Sequence, residues 1–151
     1  MIKDVINKSL RLIPDERGRL LEILRADEKI FKKFGQVYLT SVYPGVIKGW
    51  HYHKRQIDNI VCVSGMVKLV LFDLRKDSIT YNQINEFFIG EYNYALVQIP
   101  PMVAHGFKCI SRNEALLLNI PDKVYNYKKP DEFRIPLDTD TIPYDWKRKD
   151  R

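Results

Sequence analysis

Three histidines occur in the chain, and two of them, His51 and His53, stand on alternate residues. Side chains alternate along a strand with period two, so this pattern sends both imidazoles to one face and into one cavity. Asp58 follows closely, and His105 comes after a Pro100-Pro101 turn, far enough along for a second strand to approach the same cavity. Imidazole titrates near neutrality and can act as a base there. Such a base can take a proton from a bound substrate. The negative charge left behind then needs a positive or hydrogen-bonding partner, which Lys48, His53 or a tyrosine (Tyr38, Tyr52 or Tyr125) would supply. An inward-facing Asp58 would orient His51 or His53 and fix its tautomer. The same residues admit a metal site: His51, His53, Asp58 and His105 form a donor set for Fe, Mn, Ni or Zn. In a third reading they are only hydrogen-bonded cavity residues.

The elements that must hold these groups read as short strands. Val5 to Leu12 suggests an edge strand, Pro14 to Gly18 a turn, and Arg19 to Leu24 a further strand. Gln36 to Val42 and Val46 to His53 follow, separated by Pro44-Gly45. Asp58 to Val63 and Met66 to Leu74 flank Ser64-Gly65, a tight hairpin signal, and Lys68 in the second of them is expected to be buried. Ile79 to Ile89, Ala95 to Ile99, Val103 to Ile110 and Ala115 to Ile120 complete about nine strands. The one helix expected is short, near residues 27–34: Asp27 is its N-cap, Ile30, Phe31 and Phe34 share a face, and Gly35 stops it. Many short strands with regular turns define an all-β sandwich or barrel. After Pro121, prolines and aromatics without a period predict an ordered irregular arm, anchored by Tyr144 and Trp146. Both tryptophans read as core residues rather than stacking platforms.

The chain has 151 residues, 45% of them hydrophobic and 29% charged, which fits a single domain over residues 1–151 with a core of its own. Cys62 and Cys109 sit in apolar runs and read as buried free thiols. There is no leader-like N-terminus and no apolar run approaching the ~20 residues of a membrane span, so no membrane partner and a cytoplasmic address are expected. The net charge of +6 is spread in pairs of basic residues. That is too dispersed for a nucleic-acid surface but sufficient to attract an anionic small molecule.

The pattern Gly45-x5-His51-x-His53-x4-Asp58-x6-Gly65 resembles the first motif of the cupin superfamily, with Asp where metal cupins usually have Glu. The second motif is matched in part by Pro100 and His105. A closer resemblance runs nearly the length of the chain. Asp15-Glu16-Arg17-Gly18-x3-Glu22, Gln36, Gly45 to His51, Ile99 to Phe107 and Tyr144-Asp145-Trp146 resemble dTDP-4-dehydrorhamnose 3,5-epimerase. The resemblance implies a jelly-roll β-barrel of cupin type. It also implies that His51 is the base, that Arg17, Glu22 and Gln36 help hold the nucleotide-sugar, and that His105 supports the base. Lys48 replaces the family's arginine, keeping the charge but losing bidentate phosphate geometry. Three departures accompany it. Asp58 stands where the family has lysine, the general-acid tyrosine falls near Leu118 or Asn119, and the aspartate that pairs with the base is not matched. The doubled histidine followed by Lys54 resembles instead the dTDP-sugar 3,4-ketoisomerases, a related cupin group.

Together these features predict an isomerase or epimerase of deoxysugar and cell-surface polysaccharide biosynthesis. Its substrate would be a nucleoside-diphosphate-4-keto-6-deoxyhexose, with no cofactor. His51, His53, Asp58 and Tyr125 would carry the chemistry, and Arg17, Glu22, Gln36, Tyr38, Lys48 and His105 would bind substrate. The alternatives are 3,4-ketoisomerisation, a metal cupin and a non-catalytic sugar-nucleotide binding module. A homodimer is expected, because the N-terminal strand has no evident partner in the chain's own hairpins and sheet edges need cover.

Overall fold

The computed structural model describes residues 1–149 and contains twelve strands and no α-helix among them. In chain order these are β1 (Ile6–Ser9), β2 (Leu12–Asp15), β3 (Gly18–Leu21), β4 (Tyr38–Val42), β5 (Ile47–Tyr52) and β6 (Asp58–Ser64). Then come β7 (Met66–Asp73), β8 (Ile84–Gly90), β9 (Ala95–Ile99), β10 (Val103–Cys109), β11 (Ala115–Asn119) and β12 (Phe133–Arg134). Two antiparallel five-stranded sheets face each other, in the orders β1-β9-β6-β11-β4 and β12-β5-β10-β7-β8. The hairpin β2-β3 stands apart from both. This is the sandwich that the strand pattern and the cupin resemblance imply.

The main core fills the space between the sheets, with Ile60, Leu69, Leu71, Val97, Val103 and Leu117 among its buried side chains. Two further clusters lie outside the sheets. On the outer face of the second sheet, Val70 and Phe72 pack with Trp50 and with Ile142, Tyr144 and Trp146 from the C-terminal arm. On the outer face of the first sheet, Val61 and Leu96 pack with Ile23, Leu24 and Ile30. Strands covered on both faces need apolar residues at every position, which is why β6, β7, β9 and β10 read as continuous runs rather than alternations. The arm is thus ordered and irregular, as expected. Lys68 is buried beneath it, with its ammonium 5.1 Å from the Tyr144 ring and 5.6 Å from the Trp146 ring. Cys62 and Cys109 are free and buried.

Several local expectations are corrected. No helix forms over residues 27–34; two tight turns occupy the segment instead, closed by Glu28 N–H to the Arg25 carbonyl and Phe31 N–H to the Glu28 carbonyl. A two-turn helix barely offsets its nucleation cost. Here its groups are committed elsewhere: the Asp27 carboxylate is held by Arg25, and the Ile30 carbonyl accepts from Gln98 Nε2. The Ser64-Gly65 step is not a hairpin. β6 pairs with β9 and β11 while β7 pairs with β8 and β10, so the chain crosses there from one sheet to the other. Gly65 permits the crossing: its φ is +72°, and a Cβ would lie 2.7 Å from Ser111 Oγ and 2.9 Å from the Ala115 Cα. The apolar stretch from Ile79 is a turn until Ile84. The N-terminal strand does find a partner in its own chain, since β1 pairs with β9. The segment left unpartnered is the β2-β3 hairpin, which exposes Leu12, Ile13 and Leu20.

Candidate active site

A cavity of about 860 Å³ opens at one end of the sandwich, between the inward faces of the two sheets. β5 and β10 form one wall. They pair so that His51 lies opposite His105, and the register shifts between His105 and Phe107. Gly49 and Gly106 meet at this shift: a Cβ on Gly49 would stand 2.8 Å from the Gly106 Cα. Only glycine lets the two strands approach so closely beside the histidines. His51 and His53 enter the cavity from β5 and the residue after it, and their ring centroids are 5.8 Å apart. The His51 ring lies 4.0 Å from that of His105, edge to face.

The facing wall is β4, β6 and β11. Asp58, at the start of β6, is fully buried and turned inward, so one carboxylate serves several partners. Its Oδ1 accepts from Gln56 Nε2 and from Asn119 Nδ2, both at 2.8 Å. Its Oδ2 lies 3.3 Å from His53 Nε2 and 3.5 Å from His105 Nε2. The other nitrogen of His53, Nδ1, bonds the Asp131 carbonyl. His105 Nδ1 lies 3.2 Å from the Val103 carbonyl.

These environments separate the three imidazoles. Burial lowers His51 well below the ordinary histidine value, and the neighbouring His105 adds to the effect, so His51 is neutral at physiological pH. Burial also works against charge on His53, but the bond and charge of Asp58 and the Asp131 carbonyl outweigh it and push His53 up to about 9. Burial lowers His105 as well, with Asp58 opposing only in part. For Asp58, burial favours the neutral acid, yet His53, His105 and Asn119 hold it below the usual carboxylate range. One neutral base and one imidazolium therefore sit side by side.

The expected site residues divide into two groups. Gln36, Tyr38, Lys48, His51, His53 and Tyr125 line the cavity, and His105 and Asp58 back it. Lys48 spans the mouth from β5 to β4, donating to Thr40 Oγ1 at 3.2 Å and to the Ser41 carbonyl at 2.6 Å. Gln36 Oε1 accepts from the backbone N–H of Tyr125. Arg17 and Glu22 lie elsewhere in this chain. Arg17 is on the tip of the β2-β3 hairpin, bonded to Asp15, and Glu22 is paired with Arg25.

Sequence reading missed Gln56, Asn119, Asp131, Glu132 and Arg134. Asp131 secures the turn after His53, its carboxylate accepting the backbone N–H groups of Lys54, Arg55 and Gln56. Arg134 lines the cavity beside Glu132, and β12 places it opposite His51 on the edge of β5. Only the brief alternation Glu132-Phe133-Arg134 hinted at a strand there, and it is too short to stand out from the surrounding arm. One ring nitrogen from each of His51, His53 and His105 lies within 4.8 Å of the other two, a trio that could hold a metal ion.

The site gathers three histidines and a buried carboxylate at one cavity, with Lys48 and Arg134 among the lining residues. The chain matches the dTDP-4-dehydrorhamnose 3,5-epimerase family over residues 1–151. Over 147 residues it is 42% identical to the probable low-salt glycan biosynthesis epimerase Agl13 of Haloferax volcanii, covering 96% of this chain and 94% of that one. It is 39% identical to the spore coat polysaccharide biosynthesis protein SpsL of Bacillus subtilis, with 97% of each chain covered. Its fold is similar to the crystal structure of a dTDP sugar isomerase from Desulfovibrio desulfuricans, with a TM-score of 0.91, 32% identity, and 96% and 92% of the two chains covered. The chain belongs to the dTDP-4-dehydrorhamnose 3,5-epimerase family and is a dTDP-sugar epimerase/isomerase of deoxysugar and polysaccharide biosynthesis.

Proposed function

We propose that the protein inverts a carbon beside the keto group of a dTDP-4-keto-6-deoxyhexose, with His51 as the base. The observation that carries this reading is the separation of two histidines in one cavity, His51 neutral and His53 cationic. Groups whose environments drive their pKa values apart are the usual assignment of base and charge stabiliser. The His53 imidazolium, fixed by Asp58 and Asp131, supplies the positive field in which the enolate forms. Asp58 is then a positioning residue; it holds His53 in its charged form. Lys48 and Arg134 at the mouth suit the diphosphate, and the edge-to-face pair Tyr125 and Tyr127, with centroids 5.0 Å apart, suits the nucleobase. Deuterium wash-in from heavy water, followed by NMR on dTDP-4-keto-6-deoxyglucose, tests the reading. Deuterium should enter a carbon adjacent to the keto group; no exchange with any common nucleotide-4-keto sugar would end it.

The assembly we infer is a homodimer. The β2-β3 hairpin exposes Leu12, Ile13 and Leu20 on a ribbon that pairs with neither sheet, and burying such side chains is favourable. A partner's hairpin would also explain why Arg17 and Glu22 lie away from the cavity of their own chain. A monomeric mass in sedimentation at micromolar concentration would contradict this. Among the described residues no helix is long and apolar enough to cross a membrane. We place the enzyme in the cytoplasm; recovery in the membrane pellet on fractionation would count against that address.

A second reading rests on the histidine trio, which would hold a transition metal with Asp58 beside it. It requires His53 to release Asp58 or Asp131, both of which it already engages. Elemental analysis of protein purified without a chelating column decides the matter: a stoichiometric transition metal supports this reading and its absence discards it.

A further inference from the structure

Inverting a carbon takes two groups, one on each side of it. A base that lifts a proton and returns it to the same face restores the starting configuration. The second group must deliver a proton from the far side of the ring. For a sugar lying between the sheets with His51 on the β5 wall, the far side is the inward face of β4, β6 and β11.

That face offers few candidates. Ile60 and Leu117 carry no acidic proton, and Asp58 is held as the carboxylate. Thr40 is an alcohol, a far weaker acid than a phenol, and its oxygen already accepts from Lys48. Asn119 is an amide. Tyr38 is left. Its oxygen accepts a hydrogen bond from Asn119 Nδ2 at 2.8 Å. The direction of that bond is fixed, because Asn119 Oδ1 accepts the backbone N–H of Asn59 at 3.0 Å, which turns the amide nitrogen toward Tyr38 and Asp58. The bond uses a lone pair of the phenol and leaves its O–H free. Among the described residues that proton has no acceptor, and the side chain lines the cavity.

We propose that Tyr38 is the proton donor that completes inversion, acting from the wall opposite His51. The proposal rests on the reading of His51 as the base. In the first step the C–H bond breaks, its proton goes to a His51 ring nitrogen, and its electron pair passes to the keto oxygen. In the second, the enolate collapses to the ketone as the same carbon takes the Tyr38 proton on its opposite face. The phenolate recovers a proton from water at the mouth, and His51 releases the one it took. Burial, with the charge of Asp58 behind it, pushes the Tyr38 phenol up to about 12, so the donor is protonated when substrate arrives.

Tyr38→Phe keeps the ring and removes the hydroxyl, and with it the donated proton and the acceptor of the Asn119 bond. Incubated in heavy water with dTDP-4-keto-6-deoxyglucose, this variant should still exchange deuterium into substrate at within about tenfold of the parent rate, since His51 works on its own face. Inverted product should fall by about a hundredfold or more, the usual contribution of a positioned acid. Product within a few-fold of the parent overturns the assignment of Tyr38. So does a parallel loss of exchange and inversion, which would make Tyr38 a general support of the site. If the parent itself shows neither exchange nor product, the base assignment fails and this proposal falls with it. That failure is therefore distinguishable from one confined to Tyr38.

Discussion

The two walls of the cavity are built from similar antiparallel strands and carry opposite kinds of chemistry. The wall of β5 and β10 supplies His51, His53 and His105, the only groups whose ordinary pKa lies near neutrality. The wall of β4, β6 and β11 supplies Asp58, Asn119 and Tyr38: a carboxylate held below its usual range, an amide, and a phenol held at about 12. None of these changes charge near pH 7. They decide instead which histidine is charged at that pH. Asp58 contacts His53 and His105, and His53, which also bonds the Asp131 carbonyl, is the one pushed up to about 9. His51 has no such contact, and burial drives it the other way. The same side chain, two positions along one strand, takes opposite protonation states because of what faces it.

The most damaging way to break this arrangement is to remove the proposed base, His51. His51→Asn should lower turnover by roughly two to four orders of magnitude. Nucleotide binding and melting temperature should change little, because the residue lines the cavity rather than the packed core. A few-fold loss of turnover would refute the role of His51. A joint loss of activity, metal and thermal stability would move the account to the metal reading.

Removing the charge-setting group from the opposite wall should cost less. Asp58→Asn leaves a neutral amide of nearly the same shape, so His53 loses its main counter-charge. Turnover should fall by about tenfold to a hundredfold, since the base survives without the cation beside it. The alkaline limb of the rate profile should move from near pH 9 toward the ordinary histidine value. An unmoved limb would mean that Asp58 does not control His53.

The smallest effect is on stability. The folded-state pKa of His53, about 9, lies above its unfolded value, so its contribution is fully present below that unfolded value and is lost as pH rises through about 9. Asp58 is shifted downward, so its contribution is present above the ordinary carboxylate value and disappears as pH falls through its folded-state pKa. Melting temperature should therefore decline on both sides of neutrality, and His53→Asn should flatten the alkaline decline. An unchanged alkaline slope in that variant would assign it to another group.

Much of the histidine wall was legible in the sequence. The His-x-His alternation places its side chains by strand geometry alone, and the Pro100-Pro101 turn announces the strand bearing His105. The opposite wall was legible only in outline. Asp58 was recognisable as a partner, but whether it served His51 or His53 depended on a register between sheets that no local pattern encodes. Asn119 and Tyr38 meet across a β4-β11 pairing between residues 81 positions apart. Asp131 acts partly through its backbone carbonyl, for which side-chain identity gives no signal. The helix expected at 27–34 fails for a related reason: its local pattern is sound, but Arg25 and Gln98 claim the groups that a helix would use. Ser64-Gly65 has hairpin composition, yet two doubly covered strands flank it, and continuous apolar runs do not reveal which sheet each joins.

Nitrogen-15 NMR titration of the three imidazoles, assigned by single histidine substitutions, tests the central claim most directly. The account predicts that His53 titrates near 9 while His51 stays neutral to well below pH 6.5. If His51 and His53 titrate together near the ordinary value, the opposite wall does not separate them, and the division into base and charge stabiliser is wrong.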